Sequence, residues 1–336
     1  MCRPPEEEAL KPAPAREPRP ATWRVLVLAT RPNTLAASLT PVVVGYAVAR
    51  TELGPIDVGP ALRFWVFACL IQIGTNLHND YADFVKGADT DARVGQARAT
   101  QKGWLTPGQT AGLSSVALCL AAAIGASLAQ RPGCGAWMTF VTCTSVFNAL
   151  AYTGGPFPLG YVGLGNVSIG YSGLGDVFVF LYFGLVATLA PYYLAAPPGG
   201  DRACPPRLLL AAVAIGCLAT AIIVVNNLRD RHTDVAAGKR TLAVRFGGRA
   251  ARGEYVALVL VAYASVVAAV ALCDAPKAWL LPGLSAPLAA KTTRLVFAEE
   301  GAALNKHVGG TAKLQLVFGL LLAAGVSRGG YEQPPF

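Results

Sequence analysis

Long apolar runs, each ended by a short polar segment, are the dominant pattern along this chain. A run of at least about 17 residues is long enough to cross the hydrocarbon core of a bilayer as a helix. Nine runs qualify, near residues 23–49, 62–82, 109–129, 134–153, 176–196, 207–227, 254–273, 277–297 and 311–328. The eighth is the weakest, because Pro282 and Pro287 interrupt it. The pattern predicts an all-α polytopic membrane protein, a bundle of nine transmembrane helices.

The two ends of the chain differ from this apolar middle. Residues 1–21 are rich in proline and charge and lack an apolar segment, which is typical of a disordered tail and not of a cleaved secretory signal. We therefore expect one transmembrane domain over residues 22–328. Residues 329–336 form a short C-terminal tail in this interpretation.

Composition and charge support a membrane protein. Of the 336 residues, 54% are hydrophobic and only 14% are charged, against roughly 25% charged in ordinary soluble domains. The net charge of +9 does not indicate a nucleic-acid partner, because the basic residues lie in short loops, where the positive-inside rule expects them. The most basic loops follow the second and sixth runs. This places them and the N-terminus on the cytoplasm-equivalent side of a bacterial inner membrane or an organelle membrane.

Two clusters of Asn and Asp follow the second and sixth apolar runs. The first, in "NLHNDYADFVKGADTD", contains Asn79, Asp80, Asp83, Asp89 and Asp91, and the second, in "NNLRDRHTDVAAGK", contains Asn226, Asn227, Asp230 and Asp234. Both show the same four-residue spacing, in Asn79, Asp83 and Gly87 and in Asp230, Asp234 and Gly238. Residues four apart share a helix face. The repetition suggests one bundle with internal pseudo-symmetry.

The clusters predict a metal site. Carboxylates so close together repel one another unless a cation lies between them, and oxygen ligands suit a hard cation. Mg²⁺ is commonly held by one or two carboxylates together with substrate phosphates. Two facing clusters therefore suit two Mg²⁺ ions around one diphosphate. A solvated helix end explains a single Asp, but it explains two matched clusters poorly.

Further basic and polar residues are candidates for contact with substrate: Arg31, Arg98, Lys102, Asn148, Tyr152 and Lys239. The cationic ones can offset diphosphate charge. Arg31 lies inside the first run, where an arginine should face the bundle interior and pair with an anion. Two other readings stay open, a positive-inside role for each basic residue and an aromatic-belt role for Tyr152.

A ten-residue repeat lies between the fourth and fifth runs. It reads "YVGLGNV" over 161–167 and "YSGLGDV" over 171–177. A local duplication, or an error in the gene model, explains it better than a functional role does.

These motifs, with "LATRPNTLAASLTPVVVG", "ATQKGWLTP" and "AYTGGPFPLG", resemble those of the UbiA superfamily of intramembrane aromatic prenyltransferases. The form "NNLRD…GKRTLAVRFG" favours the branch that acts on naphthoates. The resemblance runs from about Arg31 to Leu322. It implies a nine-helix bundle around a central cavity, with the two acidic clusters at its mouth and a lateral opening to lipid.

The resemblance also implies an activity. A polyprenyl or phytyl group would pass from its diphosphate to 1,4-dihydroxy-2-naphthoate, with loss of CO₂ and diphosphate, to give demethylmenaquinol. Asp83, Asp230 and Asp234 would be catalytic. Mg²⁺ would be held by Asn79, Asp80, Asp83, Asp89, Asp230 and Asp234, and the diphosphate and acceptor would be bound by Asn79, Asn226, Asn227 and the six candidates above. The alternatives are another acceptor such as 4-hydroxybenzoate, and an ion-coupled transporter.

Overall fold

The computed structural model describes residues 20–89, 94–198 and 203–328, and every regular element within these ranges is helical. The helices are α1 Thr22–Thr30, α2 Pro32–Leu53, α3 Gly59–Val85, α4 Pro107–Ala129, α5 Gly135–Ala151, α6 Ile169–Ser172, α7 Gly175–Ala195, α8 Pro206–Ala236, α9 Leu242–Leu272, α10 Ala286–Ala298 and α11 Asn305–Arg328. Short 3₁₀ segments cover Leu159–Val162, Lys277–Ser285 and Gly301–Leu304. Most of the predicted N-terminal tail, the predicted C-terminal tail and Asp91 lie outside the described ranges.

Each of the nine predicted spans coincides with a helical segment. The first is divided between α1 and α2, and the eighth between the 3₁₀ segment Lys277–Ser285 and α10. Within the described residues, five helices are long and apolar enough to cross a membrane: α4, α7, α8, α9 and α11 with its preceding turn. The predicted all-α membrane fold is therefore confirmed.

The break between α1 and α2 orients Arg31. This residue has a left-handed backbone, with φ of 53°, which is uncommon for a residue with a side chain. Pro32 follows as the first residue of α2, where its missing N–H is not needed and where it disfavours a helical residue before it. The break lets the Arg31 side chain reach α3 instead of continuing along the first helix.

The bundle is centred on α8. About 72% of its most apolar stretch is buried, and its residues form the largest apolar cluster together with those of α2, α9 and α11. Close approach to α7 depends on glycine, since a Cβ added to Gly184 would lie 2.5 Å from the Cα of Gly216. Small residues at such crossings are typical of membrane helices. The second acidic cluster therefore lies at the end of the central helix.

Candidate active site

The two acidic clusters end in the same backbone motif. After Asp83, the N–H of Ala88 donates to the Asp83 carbonyl, and after Asp234, the N–H of Lys239 donates to the Asp234 carbonyl, both at 2.9 Å. Gly87 and Gly238 precede these donors with φ of 70° and 73°. This is a Schellman-type helix end, which requires a left-handed residue and so favours glycine. The sequence correspondence between the clusters is thus also a structural one, with Asp83 matching Asp234.

The clusters face each other across one ammonium group. Lys239 Nζ lies 3.6 Å from Asp83 Oδ2 and 3.5 Å from Asp234 Oδ1. The two carboxylate oxygens are therefore at most about 7 Å apart, the sum of the two distances. Both aspartates are buried. A single small anion with its counter-cations can contact both clusters at this separation.

Arg98 neutralises the first cluster from within. Its Nη1 lies 2.7 Å from Asp83 Oδ2 and 2.9 Å from Asp89 Oδ2, and its Nε lies 3.4 Å from Asp80 Oδ1. Nη1 also donates to the Asn79 carbonyl at 2.9 Å. Burial lowers the pKa of Arg98, but the three carboxylates outweigh it and raise the pKa above its ordinary value. Arg98 is therefore a permanent counter-ion at the centre of the cluster.

Asp80 points away from Asp83, towards two guanidinium groups. It is 1% exposed and forms ion pairs with Arg98 and with Arg31. Near this pair, Asn76 Nδ2 donates to the Thr30 carbonyl at 3.2 Å and ties α1 to α3. Arg31 thus pairs with an anion inside the bundle, and that anion is a side chain of this chain.

Arg229 is a buried arginine in the second cluster. Its Nε and Nη2 donate to the two carboxylate oxygens of Asp230, with Nε–Oδ1 at 2.7 Å. The same guanidinium donates to Asn226 Oδ1 and Asn305 Oδ1, each at 2.8 Å. Asn305 begins α11 and donates in turn to the carbonyl of Val94, 2.7 Å away. Each acidic cluster therefore contains one buried arginine as counter-ion.

A tyrosine from the repeat enters the site. Tyr171 Oη donates to Asp83 Oδ1 at 2.8 Å, and the ammonium groups of Lys86 and Lys239 lie 4.7 Å and 5.0 Å from its ring centroid. Burial and the neighbouring Asp83 raise the pKa of Tyr171, so its hydroxyl remains a donor. Burial lowers the pKa of Lys86. The charge of Lys239 lowers it further, and the charge of Asp83 opposes both effects.

A model of the UbiA prenyltransferase family matches residues 38–317. The chain belongs to this family. It is 34% identical over 303 residues to the 1,4-dihydroxy-2-naphthoate octaprenyltransferase of Escherichia coli, covering 88% of this chain and 92% of that one. It is 34% identical over 313 residues to the enzyme of the same name from Mycobacterium tuberculosis, covering 92% and 99%. The predicted membership is confirmed.

Solved structures support the UbiA fold. A UbiA homolog from Aeropyrum pernix, in its apo form, superposes with a TM-score of 0.63 at 13% identity, over 86% of this chain and 96% of that one. A UbiA homolog from Archaeoglobus fulgidus bound to DMAPP and Mg²⁺ gives a TM-score of 0.57 at 14% identity, over 89% and 99%. At these identities the likeness is one of fold.

The oxygen donors of this UbiA-family site suit a hard cation. Within the described ranges, no group of three His, Cys, Asp or Glu side chains converges closely enough to bind a metal without further ligands. The Lys239 ammonium already lies between Asp83 and Asp234, which shows that a cation fits there. Mg²⁺ usually takes only one or two carboxylates and completes its shell with water and phosphate. The residues present therefore fit Mg²⁺ that arrives with a diphosphate.

The remaining predicted residues lie around the clusters. Asn227 Nδ2 donates to the buried Asp176 at 3.3 Å. The Tyr152 hydroxyl packs against Gly175, where an added Cβ would be 3.0 Å away. Asn148 lies one turn before Tyr152 on α5, and Lys102 is exposed in the loop after Arg98. Substrate contact by these residues stays a prediction.

Sequence reasoning missed Lys86, Thr153, Tyr171 and Arg229. Thr153 donates its hydroxyl to Asn79 Oδ1, and its carbonyl accepts from Lys86 Nζ. The signal for Arg229 was available, because a basic residue inside the last turns of an apolar helix needs an anionic partner. Tyr171 gave no such signal, because the repeat presents two equivalent tyrosines and only the fold separates them.

Proposed function

We propose that the protein is a Mg²⁺-dependent prenyltransferase that moves a polyprenyl or phytyl group from its diphosphate to 1,4-dihydroxy-2-naphthoate. Diphosphate and CO₂ are released, and demethylmenaquinol is formed. The acceptor is supported by the names of the relatives from E. coli and M. tuberculosis, each 34% identical over most of both chains. The observation that carries the proposal is the position of Lys239 between Asp83 and Asp234.

The carboxylates facing that ammonium are the proposed ligands. Asp83 and Asp234, with Asn79, Asp89 and Asp230, would hold Mg²⁺, which supplies Lewis-acid neutralisation of the diphosphate as the allylic C–O bond breaks. Asp80 has a different role in this proposal. It pairs with both Arg31 and Arg98, and we assign it the role of the counter-ion that holds these two arginines in place.

The basic residues bind and orient the diphosphate. Lys86 and Lys239 lie beside Asp83 on the ring of Tyr171, so both can donate to phosphate oxygens. Arg31 is held in the first cluster by its ion pair with Asp80. These groups add fixed positive charge where negative charge accumulates on the leaving group, and preorganised charge of this kind stabilises the transition state.

The bilayer supplies the rest of the setting. The isoprenoid tail stays in lipid throughout, while the apolar interior of the bundle shields the allylic cation from water. The site lies on the cytoplasm-equivalent side in this proposal, as the basic loops predict, and residues 22–328 act as one transmembrane domain.

Purified protein in detergent tests the function. With Mg²⁺, a polyprenyl diphosphate and 1,4-dihydroxy-2-naphthoate, we expect a lipid-soluble prenylated quinol and one diphosphate per turnover. Parallel reactions with 4-hydroxybenzoate and homogentisate test the acceptor, and transfer to either in preference to the naphthoate would contradict it. Failure with every acceptor, together with ion-driven solute uptake in liposomes, would favour a transporter.

A further inference from the structure

The two tyrosines of the ten-residue repeat have opposite environments. Tyr161, in the first copy, is 83% exposed and lines an open cleft on the outside of α3 and α4 with Tyr81 and Phe157. Tyr171, in the second copy, donates to the buried Asp83 and contacts two ammonium groups. Identical sequence positions thus lie on the surface in one copy and in the site in the other.

The backbone of the second copy is held from two sides. The Tyr171 carbonyl accepts from the N–H of Arg240 at 2.8 Å, in the loop after the second acidic cluster. On the other side, Ser168 Oγ accepts from the Tyr171 N–H and donates to the carbonyl of Tyr152 at the end of α5. Tyr171 therefore has a fixed position relative to both clusters.

One pair of matching glycines in the repeat shows the same contrast. Gly163 and Gly173 occupy matching positions and both have positive φ, 76° and 86°. A Cβ on Gly163 would meet nothing within 4 Å, whereas a Cβ on Gly173 would lie 2.6 Å from the Arg240 carbonyl. At this position, only the second copy packs so closely against the loop after the second cluster that an added methyl group would displace it.

We propose that the second copy of the repeat is part of the diphosphate site, in which Tyr171 is a positioning residue that orients Asp83 and holds the Lys86 and Lys239 ammonium groups against its ring. The first copy has no part in the reaction. The inference rests on the proposed function, because it assigns these groups to the donor diphosphate.

Two contacts of Tyr171 can be separated by substitution. Its hydroxyl orients the Asp83 carboxylate through a hydrogen bond to a charged group, which is stronger than one between neutral groups. Its ring attracts the two ammonium groups by cation–π interaction and keeps them together although their charges repel. Tyr171→Phe removes only the first contact, and Tyr171→Leu removes both.

Steady-state kinetics distinguish these contributions. We expect Tyr171→Phe to lower kcat about tenfold or more while the KM for the prenyl diphosphate changes less than threefold. Tyr171→Leu should in addition raise that KM, and the half-inhibitory concentration of inorganic pyrophosphate, about tenfold. Tyr161→Phe and Tyr161→Leu are the matched controls and should stay within twofold of wild type in every constant.

Loss of folding, failure of the proposed function and failure of this inference give different experimental results. Size-exclusion elution and the unfolding midpoint in detergent show whether each variant is folded, and Gly163→Ala with Gly173→Ala gives a second matched pair if Tyr171→Leu does not fold. Equal kinetics for the Tyr161 and Tyr171 variants, or for the two glycine variants, in an active enzyme would overturn the inference alone. If wild type transfers no prenyl group, the proposed function fails, and calorimetric binding of pyrophosphate with Mg²⁺ then tests the inference. Weaker binding in Tyr171→Leu but not in Tyr161→Leu would support the inference. Equal binding in the two variants would overturn it.

Discussion

Arg98 and Asp83 form a buried ion pair, with Arg98 Nη1 2.7 Å from Asp83 Oδ2. The same guanidinium pairs with Asp80 and Asp89, so one arginine offsets three carboxylates. In the second cluster, Arg229 pairs with the neighbouring Asp230. Each cluster can therefore fold before a metal ion binds, because its charge is already partly neutralised.

Replacement of Arg98 should destabilise the protein strongly. Removing one partner of a buried ion pair costs about 3–5 kcal/mol, because the other charge is left without compensation. We expect Arg98→Gln to lower the unfolding midpoint in detergent, and Mg²⁺ with pyrophosphate to restore part of the loss by supplying positive charge. Lys291→Gln, at an exposed position on α10, is the control. An unchanged midpoint for Arg98→Gln would contradict its role as counter-ion.

Alanine at the two helix-ending glycines should cost similar amounts of stability. A Cβ on Gly87 or Gly238 would meet nothing within 4 Å, so the penalty comes only from the left-handed backbone, about 1–2 kcal/mol. Gly253 lies inside α9, also with open space around its Cβ, and alanine there should be neutral or stabilising. Unfolding midpoints of the three variants test this. Equal midpoints for all three would show that the two turns are not constrained as described.

Asp80 and Asp83 should differ in their effect on Mg²⁺ dependence. Asp80→Asn removes a counter-ion of Arg31 and should leave the Mg²⁺ concentration for half-maximal activity within about threefold, while Asp83→Asn removes a proposed ligand and should raise it about tenfold or more. Activity measured across a Mg²⁺ titration separates the two. Equal shifts would restore Asp80 to the ligand set that the sequence resemblance implies.

The sequence was sufficient for the membrane fold and for the two clusters, because both depend on local patterns. Apolar runs of spanning length predicted the long helices, although not the short helix α6, and the four-residue spacing predicted the correspondence of Asp83 with Asp234. The turn at Arg31 is also local, since Pro32 follows it, yet its left-handed backbone is visible only in the structure.

The contacts that distant segments make with the clusters could not be predicted from the sequence in the same way. Tyr171 reaches Asp83 across 88 residues, and Arg229 reaches Asn305 across 76, so each contact depends on how distant helices pack. The sequence could not show which tyrosine of the repeat, Tyr161 or Tyr171, contacts the site. The two copies are alike in sequence and differ in which one packs against the loop after α8.

Calorimetric titration with inorganic pyrophosphate tests most directly whether the two clusters bind one ligand together. We expect wild type to bind it only with Mg²⁺ present, and Asp83→Asn, Asp234→Asn and the double variant each to lose that binding to a similar extent. Asp57→Asn, at an exposed position before α3, should bind as wild type does. Undiminished binding in either single variant, or losses that multiply in the double variant, would mean that the clusters act independently and would contradict the account.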